Sequence, residues 1–378
     1  MLEQLQSLDP AVLTDVVRQD QRCPNFEITE WQVQRLSDRG IVNPDGLFLF
    51  RGEGREGNGW PIKTWSVVLK VLTDPGQEVD PPNLWYWKRE LLAIQSGLLA
   101  DLPGPVVAPR CYGALEREGR GWIWMEHVTA RSNQRWTSND YAFAAHQVGL
   151  FNAAYLTGRP LPDYPWLCKD HTRDWLGTVD ISSAWESEHV QRAFTTSIRE
   201  RVMRLSAERE RFFAALHHLP QVFSHFDYMR RNLFIRERSD GKDEVVAVDW
   251  ALCGIDAVGC EMATLIGSSA LLCELQPSEW RDVEAVSLDA YLAGLRAGGC
   301  EVRPDQVRLG YTAWMALWSG AGIPAGLAWW MQPENQPSIQ RAHGCPPDVF
   351  VLHEAALCAY SLDLADEARH LMHKLNLA

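Results

Sequence analysis

The chain has no C-x-x-C pair and no zinc-like spacing of cysteine with histidine, although Cys23, Cys111, Cys168, Cys253, Cys260, Cys273, Cys300, Cys345 and Cys358 are present. This argues against a zinc module or a redox pair, and reduced, mostly buried thiols are expected. Positive charge is also in short supply: 36 Lys and Arg stand against 49 Asp and Glu, a formal net charge of −13. Binding to nucleic acid, which needs clustered cations to displace counterions from phosphates, is therefore not expected. No internal repeat and no long polar, low-complexity stretch occurs, which argues against a disordered chain. The opening Met1-Leu2-Glu3-Gln4-Leu5 lacks the basic segment and apolar run of a signal peptide, so a cytoplasmic location is expected by default.

Long uncharged runs are rare, and the one that stands out is Leu309 to Met331. Its length would suffice to span a bilayer, which takes about 20 residues. Gly320, Gly322, Pro324 and Gly326 interrupt it, so it is read as a helix ending near Ser319 and another beginning near Ala325, both buried in a helical lobe. No membrane partner is expected. Trp314 and Trp318 share a helix face at i, i+4, and Trp329 and Trp330 follow the interruption. Core packing is the plain reading of these rings; an aromatic wall for a ring or a cation is the alternative. With 46% hydrophobic residues in 378, the chain can bury a sizeable core, or two cores in one catalytic unit.

Strand signals dominate the first third. Ile28 to Leu36 alternates apolar and polar residues, Leu47-Phe48-Leu49-Phe50 is a short apolar run, and Trp65 to Leu72 is rich in valine with a single charge, Lys70. These three predict a meander. The glycine-rich Arg51 to Pro61 is read as a plain turn between the second and third strands. A phosphate-cradling loop is expected instead between the first and second, at Ser37 to Asn43 around Gly40. Asn83 to Leu99 predicts a helix carrying Glu90, and Arg110 to Glu116 with Trp122 to Glu126 complete a sheet of about five strands. An ammonium alone in an apolar strand would be costly, so Lys70 is expected to pair with Glu90, leaving it placed to reach phosphate oxygens.

Beyond residue 126 the spacing turns helical, over Asn139 to Leu156 and Val190 to Leu216. Then Ser224-His225-Phe226-Asp227-Tyr228-Met229-Arg230-Arg231-Asn232 places a His, an Asp and an Asn in one short loop. The strand Val245 to Val248 brings Asp249 to its end. Phosphoryl transfer needs these types together, because the protein chiefly positions reactants and neutralises charge. Asp227 can accept a proton from an attacking hydroxyl. Asn232 and Asp249 supply the oxygen ligands that Mg²⁺ prefers. His225 is expected to brace the loop, while Arg230 and Arg231 are open between a phosphate contact and solvated surface charge.

His225-Phe226-Asp227 with Asn232 five residues after the Asp, followed by Val248-Asp249-Trp250, resembles the signature pair of the aminoglycoside phosphotransferase and choline kinase-like family. With Lys70 and Glu90 in order, the resemblance covers roughly residues 28 to 265. It implies an α+β, bilobal protein-kinase-like fold: an N-terminal antiparallel five-stranded sheet with one helix, and a larger, mostly helical C-terminal lobe. The implied division is a nucleotide-binding lobe over 1–126 and, over 127–378, a lobe with the catalytic loop and substrate pocket. By the same resemblance Lys70 is the phosphate-binding lysine and Glu90 its helix partner. Glu126 and Val128 are connector residues whose backbone receives adenine, Met125 lines that pocket, Asp227 is the catalytic base, and Asn232 and Asp249 hold the metal. ATP and Mg²⁺ are thus the implied cofactors, and a small-molecule hydroxyl the implied substrate. Asn152 to Leu156 and Leu161 to Leu167 also look like segments of some bacterial members of the family.

Phe226 departs from the Gly, Arg or Asn common at its position, and Ala251 from an acidic residue. Glu261-Met262-Ala263 stands where the family often begins a helix with Asp-Leu-Ala. Only twelve residues separate Asp249 from Glu261, too few for a peptide-binding activation segment, whereas nearly a hundred separate Val128 from His225. The expectation is an ATP-dependent kinase acting on a hydroxyl of an aminoglycoside, sugar or amino alcohol. The alternatives are a non-catalytic nucleotide-binding scaffold, and an enzyme of the same fold that acts on a macromolecule or transfers another part of ATP.

Overall fold

The computed structural model describes residues 1–36, 46–57, 60–76, 78–130, 135–238 and 240–377. Two helices open the chain, α1 (Leu2–Gln6) and α2 (Pro10–Gln21). Proline at the first position of α2 and the Asp9 carboxylate, which accepts from Ala11 N at 2.9 Å, start the second helix. Strands β1 (Glu27–Arg35), β2 (Leu47–Arg55) and β3 (Lys63–Thr73) follow, then α3 (Arg89–Gln95), β4 (Val106–Val107), β5 (Cys111–Arg117) and β6 (Arg120–Glu126). The expected five-stranded sheet runs β1-β2-β3-β6-β5, antiparallel throughout.

Alternation along β3 decides what each face of the sheet does. Trp65, Val67, Leu69 and Val71 point into a cluster with Leu13, Val16 and Val17 of α2, so the N-terminal helices cover that face. Val68 and Leu72 point the other way, with Leu49, Leu91, Ile123 and Met125. Lys70 lies between them on this second face, where α3 packs.

Two local expectations change. Strand β2 continues through Arg55, so Gly52 and Gly54 lie within it. A Cβ on Gly52 would stand 2.1 Å from Glu30 O, at a β-bulge of β1, and one on Gly54 would stand 2.3 Å from the Phe26 ring. These glycines permit close packing rather than a turn. The helix expected over 83–99 is only Arg89–Gln95. The carbonyls of Pro81, Asn83 and Leu84 accept from the Arg89 guanidinium, and Asn83 Oδ1 caps Trp85 N at 3.0 Å, which holds this segment in turns.

The remainder is mostly helical. A Thr137–Asp140 capping box starts α4 (Ser138–Leu156), followed by α5 (His171–Gly177), α6 (Ile181–Ala184), α7 (Glu188–Ala193) and α8 (Thr196–His218). Short strands β7 (Gln221–Ser224), β8 (Leu233–Glu237), β9 (Asp243–Ala247) and β10 (Gly254–Ala257) come next, and then α9 (Cys260–Leu271), α10 (Trp280–Ala297), α11 (Pro304–Met315), α12 (Gly322–Trp330), α13 (Gln336–His343) and α14 (Pro347–Lys374). Strand β10 pairs with β7, while β9 lies between β4 and β8.

The segment 304–330 does not break where its glycines suggest. A π-helical stretch, Ala316–Ala321, joins α11 to α12. Pro324 has no N–H for the carbonyl of Gly320, and the Cys358 thiol of α14 donates to it at 3.5 Å. A distant side chain thus repairs the bond that proline removes. Among the described residues no helix is long and apolar enough to cross a membrane.

Helices α4 and α10 cross closely at Gly149 and Gly294. A Cβ on Gly294 would stand 2.2 Å from His146 O, and one on Gly149 would stand 2.4 Å from Tyr291 O. Gly294→Ala would gain about 1 kcal/mol of helix propensity, but its methyl would force backbone against backbone. We expect a net loss of about 1–3 kcal/mol, read from the urea midpoint at unchanged slope; a more stable variant would contradict this packing.

Candidate active site

The loop from β7 to β8 is built around two backbone amides and one buried acid. Glu261, the second residue of α9, accepts from His225 N and, at 3.2 Å, from Phe226 N. Phe226 sits at φ 63°, a left-handed conformation that a bulky residue adopts only where its surroundings hold it there. The turn aims Asp227 into the cleft. Burial pushes the Glu261 carboxyl up to about 7, with the two amides pulling it back.

His225 joins the two acidic segments. Its Nδ1 accepts from Asp227 N at 3.2 Å, so Nε2 carries the hydrogen and donates to Val248 O at 3.1 Å, the residue before Asp249. Burial lowers its pKa to about 4, and the neutral ring is the form this pairing requires. Trp250 packs against it with ring centroids 4.4 Å apart and donates its indole N–H to Ala247 O at 2.8 Å.

Asn232 Nδ2 donates to Asp227 Oδ2 at 2.7 Å and to Asp227 O at 3.0 Å. The amide is thereby oriented with its oxygen away from Asp227. Burial and then the charge of Asp249 raise Asp227 to about 7, near the value at which a carboxylate serves best as a base in neutral solution.

Lys70 reaches this group from the sheet. Its Nζ lies 2.5 Å from Glu90 Oε2 of α3 and 2.7 Å from Asp249 Oδ1. Burial depresses the ammonium, but the charges of Asp249 and Glu90 outweigh it and hold the pKa above the usual lysine value. Asp249 feels the same pairing in reverse: burial raises it, Lys70 prevails, and it stays below its ordinary value. Glu90 Oε1 accepts from Trp250 N at 3.2 Å, which fastens α3 to the turn after Asp249. Asp249 also has a left-handed φ of 66°, and its side chain, 43% exposed, opens on the cleft.

Lys70, Glu90, His225, Asp227, Asn232 and Asp249 are therefore one connected group. Met125 is buried with Leu49 and Val68 on the cleft face of the sheet. The Val128 backbone N–H and C=O make no hydrogen bond among the described residues. Glu126 spends its side chain elsewhere, accepting from Arg110 at 3.1 Å and from Arg236 of β8, and its backbone N–H donates to Arg110 O at 2.9 Å. Gly40 and its loop lie outside the described residues. Arg230 and Arg231 are not solvated surface charges: both contact Glu274, at 3.4 and 2.8 Å, and Arg231 donates to Ala342 O at 3.0 Å.

One residue beside Glu90 gives no sign of its importance in the sequence. Arg89 is fully buried, and its five N–H groups reach the carbonyls of Pro81, Asn83, Leu84, Trp166 (2.7 Å) and Ala251 (2.8 Å). It joins α3 to the C-terminal helices and to the turn after Asp249. Its partners are scattered backbone groups, which carry no sequence pattern.

The sequence profile of the phosphotransferase enzyme family matches residues 89–298. No curated protein matches the sequence. Among solved structures, a choline kinase from Cryptosporidium parvum Iowa II superposes with a TM-score of 0.52 at 12% identity, covering 98% of each chain. A microcompartment-associated aminopropanol kinase gives 0.50 at 12% identity, covering 94% of this chain and 98% of its own. An amicoumacin kinase gives 0.50 at 13%, covering 95% and 96%. At such identities the likeness establishes the fold.

Arg89→Lys keeps the charge but offers three donors in place of five. Two buried carbonyls then lose their partners at about 1–3 kcal/mol each. A loss of about 2–4 kcal/mol in unfolding free energy is expected by urea titration; unchanged stability would mean that other donors serve these carbonyls.

Proposed function

The chain belongs to the phosphotransferase enzyme family, and we propose that it transfers the γ-phosphate of ATP to a hydroxyl group of a small molecule. The observation that carries this reading is Lys70 held between Glu90 and Asp249, with Asp227 and Asn232 on the same cleft. An ammonium so fixed is placed for nucleotide phosphates. The connector at Glu126 and Val128, with Met125 beside it, would receive the adenine, and the loop around Gly40 would cover the phosphates.

Asp227 would orient the acceptor hydroxyl and take its proton. The hydroxyl oxygen then bonds to the γ-phosphorus while the bond from that phosphorus to the β–γ bridging oxygen breaks, releasing ADP. Asn232 and Asp249 would hold Mg²⁺, which supplies charge neutralisation across the phosphates. Their chemistry fits a hard cation: the Asn232 amide oxygen is turned away from Asp227, and the Asp249 carboxylate opens on the cleft. Two protein oxygens suit Mg²⁺, which is usually bound through one or two carboxylates together with substrate phosphates. The amicoumacin kinase of like fold was solved with AMP-PNP and Ca²⁺, which supports nucleotide and divalent-cation use.

A non-catalytic scaffold is disfavoured because Lys70, Glu90, Asp227, Asn232 and Asp249 stand together in one connected group. A macromolecular acceptor is disfavoured by the chain after Asp249. A 3-10 turn, Trp250–Leu252, and strand β10, folded back on β7, occupy most of the twelve residues to Glu261 and leave no platform for a peptide.

Incubation with ATP, Mg²⁺ and a panel of hydroxylated amines and sugars should give acceptor-dependent ADP. AMP would point to another transfer, and nucleotide binding without turnover to a scaffold. Asp227→Asn should lower kcat by about 10²–10⁴-fold with nucleotide binding nearly intact, whereas Asp249→Asn should weaken Mg²⁺-dependent nucleotide binding. Near-normal turnover by Asp227→Asn would overturn the mechanism.

A further inference from the structure

Cys273 and Cys345 are 72 residues apart in the chain, yet the Cys345 thiol lies 3.5 Å from the Cys273 sulfur. Both are half-buried, whereas Cys168, Cys253, Cys260, Cys300 and Cys358 are sealed in the core. Cys273 also lines a cavity of about 320 Å³ with Arg135, Tyr141 and Arg230, which gives a small solute access to its sulfur.

Two thiols this close share a weak hydrogen bond, hold a soft metal, or lose their hydrogens to form a disulfide. A metal is disfavoured, because among the described residues no group of three or more His, Cys, Asp and Glu is placed to hold one. A purely structural hydrogen bond is a slight return for the backbone at Cys273, whose φ of 56° lies in the left-handed region that side chains other than glycine seldom adopt.

The pair stands beside the catalytic loop. Glu274, the residue after Cys273, accepts from Arg231 at 2.8 Å and from Arg230 at 3.4 Å, and its carbonyl accepts from Arg135 at 3.1 Å. Arg231 also donates to Ala342 O at 3.0 Å, three residues before Cys345. Arg231, immediately before Asn232, thus bridges the same two segments as the thiols: the turn after α9 and the link from α13 to α14. A sulfur–sulfur bond is about 2.05 Å long, so oxidation draws these segments together by about 1.5 Å. Neither side yields freely. Cys345 runs straight into Pro346 and Pro347 at the start of α14, and Cys273 N and Glu274 N donate to Ala270 O and Ser269 O, each at 2.9 Å. Whichever side moves, the two anchors of Arg231 change their spacing.

We propose that Cys273 and Cys345 are a reversible dithiol–disulfide site, oxidised by hydroperoxides, and that the disulfide displaces Arg231 and with it Asn232, slowing turnover. The effect on turnover rests on the phosphotransfer reading above; formation of the disulfide does not. With hydrogen peroxide, one thiol gives up its proton to solvent and its sulfur bonds to a peroxide oxygen as the O–O bond breaks; the departing hydroxide takes a proton and leaves as water. The second sulfur then bonds to the first, the S–O bond breaks, and the hydroxyl leaves as a second water with the second thiol's proton. Two electrons pass from sulfur to oxygen, and a dithiol reductant returns them. Burial raises both thiols above their ordinary pKa, so thiolate is scarce near neutral pH and millimolar peroxide is required. Once the first sulfur is oxidised, its neighbour traps it before further oxidation.

The test treats the full chain with hydrogen peroxide or with dithiothreitol, blocks free thiols by alkylation and maps the peptides by mass spectrometry. Peroxide should give one cross-linked peptide pair, containing Cys273 and Cys345, which dithiothreitol returns to two thiols. Hydrogen–deuterium exchange over residues 225–236 should change on oxidation, and kcat with the best acceptor of the panel above should fall about tenfold. Cys345→Ser and Cys273→Ser should each abolish both effects, and either suffices if the other fails to fold. Thiols still open to alkylation after peroxide, oxidation to sulfinic or sulfonic acid without pairing, or a disulfide that leaves exchange over 225–236 unchanged would each overturn the proposal. Pairing and altered exchange without ADP release in either form would sink the phosphotransfer reading and leave the disulfide site intact. Equal ADP release by both forms would overturn the effect on turnover and leave phosphotransfer standing.

Discussion

Lys70 is the point at which three separate stretches of chain meet. Its ammonium, on the inner face of β3, lies between the carboxylates of Glu90 on α3 and Asp249 after β9. Charges buried this way are costly to desolvate and are retained only where partners are close. Removing Asp249 would release the sheet from the acidic loop, and removing Glu90 would release it from α3. The sheet's alternation puts Lys70 inside, and the left-handed turn at Asp249 brings the carboxylate to meet it.

Around that contact the fold repeats one solution, in which a buried polar side chain holds backbone groups of distant segments. Arg89 gathers carbonyls from the approach to α3, from Trp166 and from Ala251. Glu261 gathers the amides of His225 and Phe226, and His225 passes the constraint on to Val248. Behind them Asn152 donates to Phe223 O at 3.2 Å and accepts from Tyr291 at 2.8 Å, tying α4 and α10 to β7. These bonds are directional where packing is not, and they fix Asp227, Asn232 and Asp249 relative to one another.

The C-terminal helices combine that rigidity with a cavity. Close backbone crossing at Gly149 and Gly294 gives a firm support, while the π-helical stretch and Gly322 open room for Trp175 and Trp318. The rings that the sequence marks as core are in part just that: Trp314 is fully buried. Others, among them Trp175, Trp318, Trp329 and Trp330, line the cavity between α5–α7 and α12–α14.

The sequence by itself determined what depends on near neighbours. The spacing of His225, Asp227 and Asn232 lies within one loop, and the apolar run 65–72 marks a strand whose single charge is Lys70, so the grouping of these residues and the sheet were legible. Tertiary structure decided what depends on distant ones. Helix α3 is short because Arg89 takes the carbonyls of the residues before it, and residues 304–330 stay helical because Cys358 serves the carbonyl that Pro324 cannot. Gly52 and Gly54 belong to a strand because β1 and Phe26 lie against them. Glu354 and His343 meet around one cavity only after α13 and α14 fold against α12. A linear pattern records periodicity and spacing, whereas the partner of a buried polar group is chosen by the packing of remote segments.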